Sequence, residues 1–347
     1  MFQTTPIKLL CICCFLSLLG CGRQAAPKPF ETVAVELLFQ DSLSIRALEV
    51  MEGSVGFGGS GGIFGSVDRR DFSVRTGRLQ NEGQYPEFRA TGHTSTDFFL
   101  LSAGSPALLY KTGDRGSMEL VYQETGPEVF YDSMAFWDDH NGIAVGDAMG
   151  GCLSVLITRD GGNTWKKLPC PELPPALPGE GAFAASNTNI ALAGTSCWVA
   201  TTKGRILFSP DMGRTWQFRQ TPLVPTSETQ GLYSLDFYNE LMGYAIGGDY
   251  TKPGANTENK VATEDGGNTW VFKASGALPG YKSCVQFVPG RDGRDLVAVG
   301  FTGIAYSSDR GASWRQLSEE GFYSLRFVDD STAVASGKGR IARLRFR

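Results

Sequence analysis

The chain has 347 residues, a formal net charge of -4 at pH 7 and only 20% charged residues. This balance argues against nucleic acid as a partner, because nucleic-acid-binding surfaces leave a basic footprint. Two histidines exclude a multi-histidine metal site and leave few candidates for histidine-based catalysis. The 44 glycines and 22 phenylalanines predict many short strands and tight turns.

The N-terminus predicts a lipoprotein signal peptide over residues 1–20. Lys8 precedes the apolar run Leu9–Leu19, which is too short to span a bilayer as a helix. The run ends in Leu-Leu-Gly-Cys, which resembles the bacterial lipobox, so Cys21 is the predicted lipidation site. An ordinary secretory signal that contains cysteines is the alternative.

A short linker, 21–30, then precedes a domain that spans 31–347. Two or three acyl chains on the cysteine would anchor the protein stably in the bacterial cell envelope. Glycine at position 22 favours the outer membrane, on its periplasmic or its surface side.

The domain begins with an isolated predicted strand, Thr32–Phe39, and continues as seven repeating units. The last unit lacks its fourth strand, which the N-terminal strand would supply, closing the ring and removing exposed sheet edges. We therefore expect an all-β, seven-bladed β-propeller closed by the N-terminal strand. The units are 43–80, 86–125, 128–170, 180–222, 228–275, 280–318 and 319–347.

Four segments share the Asp-box pattern S/T-x-D-x-G-x-T/S-W and recur about every fifty residues. The Asp can accept backbone N–H groups of a hairpin turn, the Gly can take positive φ, and the Trp can pack between sheets. We expect these residues to be structural rather than catalytic. A degenerate copy, Thr112–Met118, lacks the Trp. The box residues are Asp160, Gly162, Trp165, Asp211, Gly213, Trp216, Asp265, Gly267, Trp270, Asp309, Gly311 and Trp314.

The candidate partner-binding residues are arginines on predicted first strands, which line the central channel of a propeller. Arg46, Arg89 and Arg326 occupy matching places on three such strands. They could hold a carboxylate or an acidic side chain of a partner by bidentate hydrogen bonds. Alternatively, each pairs with an acid of a neighbouring blade, such as Asp236. The sequence leaves both possibilities open.

No motif indicates catalysis or a cofactor. Gly56–Gly61 matches G-x-G-x-x-G, but no helical pattern follows, so we expect a turn between two strands. The histidines and several acids lie near predicted turns, where exposure to solvent is the expectation. These residues are His93, His140, Asp97, Asp132, Asp138, Asp139 and Asp147.

The predicted domain contains four widely spaced cysteines without a C-x-x-C motif. An exported compartment would permit a disulfide, but the sequence does not determine a pairing, and free buried thiols are equally compatible. The cysteines are Cys152, Cys170, Cys197 and Cys284.

Several linking motifs resemble those of the photosystem II stability/assembly factor-like propellers. These motifs lie at 44–47, 135–147, 173–186 and 299–303. The chain is more narrowly similar to lipoprotein relatives in Bacteroidetes-type bacteria that are often labelled oxidoreductase. The resemblance implies a seven-bladed propeller and, in the photosynthetic members, a scaffold that assists assembly of a membrane complex through arginines on its face. Arg46 and Arg89 match that arginine motif.

The leading hypothesis is a membrane-anchored, non-catalytic scaffold that binds a membrane or envelope protein, without metal, cofactor or nucleic acid. Nothing indicates a photosynthetic host, so the photosystem role itself is not transferred. The alternative is a sialidase-related glycoside hydrolase or glycan-binding protein, although the Arg-Ile-Pro motif of sialidases is missing. The third possibility is a redox enzyme with an unrecognised cofactor.

Overall fold

The computed structural model describes residues 1–2, 27–113 and 117–347. The predicted signal peptide, the lipidation site Cys21 and most of the predicted linker lie outside the described residues, as does the centre of the degenerate box. Within the described ranges, no helix is long and apolar enough to cross a membrane. The only helical element there is a short 3-10 turn, Cys170–Glu172, so the described chain is all-β.

Short strands account for nearly all of the regular structure. The first half contains β1 (Val33–Val50), β2 (Ser54–Gly59), β3 (Ile63–Asp68), β4 (Val74–Arg78), β5 (Phe88–His93), β6 (Phe98–Ser102), β7 (Ala107–Thr112), β8 (Met118–Glu124), β9 (Tyr131–Phe136), β10 (Gly142–Met149), β11 (Cys152–Thr158) and β12 (Lys166–Lys167). The second half contains β13 (Ile190–Ala193), β14 (Ser196–Ala200), β15 (Arg205–Ser209), β16 (Gln217–Gln220), β17 (Gln230–Phe237), β18 (Gly243–Asp249), β19 (Lys260–Thr263), β20 (Val271–Phe272), β21 (Cys284–Phe287), β22 (Leu296–Gly300), β23 (Gly303–Ser307), β24 (Arg315–Ser318), β25 (Ser324–Phe327) and β26 (Thr332–Phe346).

The strands form six antiparallel sheets arranged as a β-propeller. Five sheets have four strands each, and the sixth has six strands in the order β25-β26-β1-β2-β3-β4. The expected number of seven blades is therefore wrong, and the propeller has six. The cause is the length of β1, which pairs first with β26 and then with β2. The predicted first and last units consequently share one continuous sheet.

The two ends of the described domain are joined along β1 and β26. Their register runs from Val33 opposite Phe346 to Ser44 opposite Lys338. Just before β1, Phe30 is only 3% exposed and packs against Phe346, with ring centroids 5.3 Å apart. The N-terminal strand thus covers what would otherwise be an open sheet edge.

A central channel is lined by the first strands, which are the innermost strands of the sheets. The four-stranded sheets contribute β5, β9, β13, β17 and β21, and the six-stranded sheet contributes two strands, β25 and β1. These strands contact their neighbours in a closed ring. Successive sheets bury their apolar faces against each other, as in the cluster that contains Trp198, Phe237 and Trp270. The apolar core therefore lies between the sheets and not in the channel.

The Asp-box turns all have the same geometry. In the third box, the Asp265 carboxylate accepts the backbone N–H of Thr269 at 2.9 Å and the hydroxyls of Thr263 and Thr269 at 2.8 and 2.7 Å. Gly267 has a φ of 87°, and Trp270 packs edge-on against Phe237. Matching bonds occur at Asp160, Asp211 and Asp309. The carboxylates of these aspartates are therefore occupied by hydrogen bonds within the turns that they close.

Two cysteines form a disulfide and two stay free. Cys152 and Cys170 are bonded across a separation of 18 residues. Cys197 and Cys284 are buried free thiols. The turn expected over Gly56–Gly61 is present only at the end of that stretch: Gly56–Gly59 belong to β2, and the turn into β3 runs over 60–62, with no helix between the strands.

Candidate functional site

A loop between β12 and β13 fills part of the central channel. We call its residues 181–189 the channel segment. Asn187 donates from its amide nitrogen to the Thr91 carbonyl at 2.8 Å and accepts the Met134 N–H at 2.9 Å. Ser186 donates to the Ser283 carbonyl at 2.6 Å, on the other side of the ring. The segment therefore bridges first strands that are far apart in the sequence.

The start of the channel segment is held by a buried ion pair. Glu180 is 2% exposed, and its carboxylate pairs with the guanidinium of Arg205. The same carboxylate accepts the hydroxyl of Thr201 at 2.7 Å and the Leu177 N–H at 2.8 Å. With its charge paired and its oxygens bonded, Glu180 fixes the direction in which the loop enters the channel.

β-Bulges on four first strands direct side chains toward one end of the channel. The register skips one residue in β1, β5, β9 and β17. A bulge re-aims the extra side chain and is common beside functional sites. The extra residues are Arg46, Arg89, Asp132 and Tyr233.

Three of these bulged residues line an open cavity at that end of the channel, which we call the cavity face. The cavity has a volume of about 410 Å³ and contains Arg46, Arg89 and Tyr233. Alanines of the channel segment form part of its floor. Its walls are aromatic: Phe130, Phe183, Tyr233, Tyr250, Tyr281, Phe301 and Tyr323.

Arg46 forms no ion pair with a carboxylate among the described residues. Its guanidinium carbon lies 3.9 Å from the ring centroid of Tyr323, and its Nη1 donates a long bond of 3.4 Å to the Ala185 carbonyl. Its Nε is buried without a hydrogen-bond partner. Burial, and then the nearby charge of Arg89, lower the pKa of Arg46. Arg46 is therefore a stacked cation with unused donors.

Arg89 is better satisfied. It donates to the Ala184 carbonyl at 3.1 Å and to the Glu87 carboxylate at 3.0 Å. The Glu87 side chain is itself 39% exposed, so it is accessible to solvent. Arg46 and Arg89 thus carry two positive charges but have only one carboxylate partner, Glu87. This imbalance favours binding of an anionic group of a ligand in the cavity.

Arg326 does not line this cavity. It donates to the carbonyls of Leu325 and Asn187, each at 3.1 Å. Asp236, the alternative partner, instead accepts backbone N–H groups of Phe237 at 2.9 Å and Phe287 at 2.7 Å. The structure thus brings two of the three predicted arginines together and assigns the third to the channel segment.

Two aspartates expected in solvent are covered by the channel segment. Asp132 is 0% exposed, and neither carboxylate oxygen has a hydrogen-bond partner. Burial, and then the neighbouring Asp147, raise the pKa of Asp132 well above its usual range. Asp147 accepts the Ala182 N–H at 3.1 Å, and burial raises its pKa to about 6. Asp132 is too deeply covered to touch a ligand in the cavity.

The two histidines lie away from the cavity. His140 is exposed, as expected, whereas His93 is partly buried and its Nδ1 lies 2.8 Å from the Glu49 carboxylate. In the part of the chain that the structure describes, no group of three or more His, Cys, Asp or Glu residues could hold a metal. The cavity itself offers two arginine guanidinium groups beside aromatic rings, a lining that suits an anionic group.

The fold defines the class of this protein as a β-propeller, and the cavity is its candidate functional site. No protein-family model and no curated protein matches the chain. Among solved structures, YCF48 bound to a D1 peptide matches with a TM-score of 0.64 and 11% identity, over 92% of this chain and 96% of that one. YCF48 from Cyanidioschyzon merolae matches with a TM-score of 0.63 and 12% identity, over 91% and 99%.

An enzyme with the same fold is equally similar. A catalytically inactive virginiamycin B lyase from Staphylococcus aureus, with quinupristin, matches with a TM-score of 0.66 and 12% identity. The match covers 90% of this chain and 99% of that one. Because propellers with such different roles match equally well, these similarities show the fold alone.

Proposed function

We propose that this protein is a membrane-anchored, non-catalytic scaffold that binds a protein partner in the cavity lined by Arg46 and Arg89. The observation that carries the proposal is Arg46, a stacked and partly buried cation with unused donors in an aromatic cavity. Arginine and tyrosine are the residues that dominate binding energy at protein interfaces. A carboxylate of the partner would complete the hydrogen bonds that Arg46 lacks.

Two further features support a protein partner. A propeller with the fold of this chain, YCF48, is seen with a D1 peptide. The cavity is also bordered by exposed aromatic side chains, since Tyr250 is 47% and Phe301 is 45% exposed. Exposed aromatic rings beside a charged pocket are typical of a surface that a partner covers.

The membrane anchor is supported by the N-terminal sequence and by the cysteines. The Leu-Leu-Gly-Cys motif precedes the domain at the position where a lipoprotein would be acylated. The disulfide between Cys152 and Cys170 is compatible with an exported protein, because disulfides persist in oxidising compartments. We place the protein in the bacterial cell envelope, at the outer membrane.

Crosslinking in native membranes tests the scaffold function. The full-length protein and an Arg46→Ala/Arg89→Ala variant are crosslinked, purified and compared by mass spectrometry. We expect a defined envelope protein with the wild type and at least about a tenfold loss with the variant, because truncating a desolvated charge leaves its partner unpaired.

The matched control is Arg70→Ala/Arg75→Ala, which removes two exposed arginines that do not line the cavity. This control should retain the partner. Equal capture by wild type and the cavity variant would contradict the proposal, as would the absence of any reproducible partner.

A further inference from the structure

The N-terminal residues of the described domain are fixed to one place on the propeller. Arg291 donates to the Lys28 carbonyl at 2.8 Å, and its guanidinium carbon lies 4.1 Å from the ring centroid of Phe30. Arg294 donates to the Pro27 carbonyl at 3.4 Å. Both arginines belong to the connection between β21 and β22.

A buried polar network holds this contact. The Tyr306 hydroxyl accepts the Phe30 N–H at 3.2 Å and donates to Asp295 at 2.7 Å. Asp295 is 0% exposed and pairs with Arg291 at 3.3 Å. These bonds lie away from water and fix the position at which the chain leaves the domain, although Arg291 Nε and Asp295 Oδ1 have no hydrogen-bond partner.

This exit point and the cavity lie at opposite ends of one strand. Strand β22 begins directly after Asp295 and ends before Phe301, which forms part of the cavity wall. Strand β23 then returns to the Asp-box turn at Asp309. We call the end of the propeller that carries the Asp-box turns the Asp-box face. The chain therefore leaves from the Asp-box face.

Only five residues, 22–26, separate Cys21 from Pro27, and the stretch from Cys21 to Pro27 reaches at most about 21 Å when fully extended. Five-residue strands such as β22 alone rise about 17 Å, and the connecting loops add further height. A lipid attached at Cys21 could not pass around the propeller to the cavity face while residues 27–30 stay docked.

We infer that the protein stands on the membrane with its Asp-box face toward the bilayer and presents the Arg46/Arg89 cavity to the aqueous compartment. The partner then approaches from the aqueous side, as a soluble protein domain that carries an accessible carboxylate. Lipid headgroups and transmembrane segments lie too far from the cavity to reach it. This inference rests on the lipid anchor of the proposed function.

Energy transfer from labelled protein to the membrane surface tests the orientation. Two variants of the full-length lipoprotein, each with one added cysteine, are compared: Glu264→Cys in an Asp-box turn and Lys252→Cys at the cavity face; both positions are exposed. The native thiols Cys197 and Cys284 are buried, so a donor dye would attach at the new position. The acceptor is a dye on the lipid headgroups of phospholipid vesicles.

We expect efficient transfer from position 264 and a clear loss of transfer at position 252. A Cys21→Ser variant produced without residues 1–20 carries neither the signal peptide nor the lipid, so it should lose both signals because it no longer binds the vesicles. Equal transfer at the two positions, or stronger transfer at 252, would overturn the orientation while leaving the anchor intact. Wild-type protein that binds vesicles no better than Cys21→Ser would overturn the anchor and the orientation together. Partner binding measured in detergent is independent of either result.

Discussion

Phe183 stacks on Tyr233, with ring centroids 3.7 Å apart and planes inclined by only 6°. Phe183 belongs to the channel segment, and Tyr233 is the bulged residue of β17. Tyr233 also meets Tyr281 edge-on at 4.9 Å. The channel segment and the cavity wall therefore pack as one unit, so that a change in the segment alters the surface that a partner would meet.

Phe183→Ala should destabilise the domain and weaken partner binding together. Removing a stacked, half-buried ring should cost about 2 kcal/mol of unfolding free energy, from the lost aromatic pair and the lost buried area. Denaturant unfolding and the crosslinking assay measure the two effects. Phe183→Tyr keeps the stack and should resemble the wild type in both. Full binding by a destabilised Phe183→Ala variant would show that the cavity does not depend on the segment.

Asp132→Asn should stabilise the protein at neutral and alkaline pH. Burial raises the pKa of the Asp132 carboxyl in the folded protein. The folded state is therefore favoured while this carboxyl is protonated, below the unfolded pKa, and that stability is lost as the pH rises through the folded pKa. Asparagine has the same shape but cannot ionise. We expect a gain of about 1–3 kcal/mol near pH 8 and almost none near pH 3.

The control for this prediction is Asp138→Asn. Asp138 is exposed, and its carboxylate accepts the N–H groups of His140 and Asn141 at 2.8 and 2.7 Å. Its substitution should give no gain at high pH. Unfolding curves measured across the pH range compare the variants, and a stability profile for Asp132→Asn parallel to that of the wild type would refute an ionisable buried Asp132.

The Asp-box turns could be predicted from the sequence because each is a local structure. The number of blades could not, because β1 pairs with both β26 and β2, and such long-range pairing leaves no mark in the repeat. The positions of Arg46 and Arg89 could be predicted, because each is a charged residue on a predicted first strand. The burial of Asp132 could not be predicted, because the segment that covers it comes from another unit of the chain, where the only signal is a run of small residues over 181–186 interrupted by Phe183.

Loss of the disulfide should destabilise the domain without abolishing the cavity. A bond that closes a loop of this length contributes about 3 kcal/mol, chiefly by restricting the unfolded chain. Cys152→Ser/Cys170→Ser should therefore unfold at lower denaturant concentration but still capture the partner. Dithiothreitol should destabilise the wild type and leave the double variant unchanged. Equal effects of dithiothreitol on both proteins would argue against the bond.

Deleting residues 30–40 should destabilise the whole propeller, not only its N-terminus. The deletion removes the buried ring of Phe30 and the pairing from Val33 to Gln40 along β26. It also exposes a sheet edge, so we expect a loss of more than about 5 kcal/mol, comparable with the total stability of many domains. Thermal unfolding reports the global change, and hydrogen exchange in the distant strand β11 shows whether the effect spreads around the ring.

Deleting 22–26, ahead of the docked residues, is the matched control and should leave melting unchanged. A truncated protein that melts like the wild type would mean that the ring is held closed without its N-terminal strand.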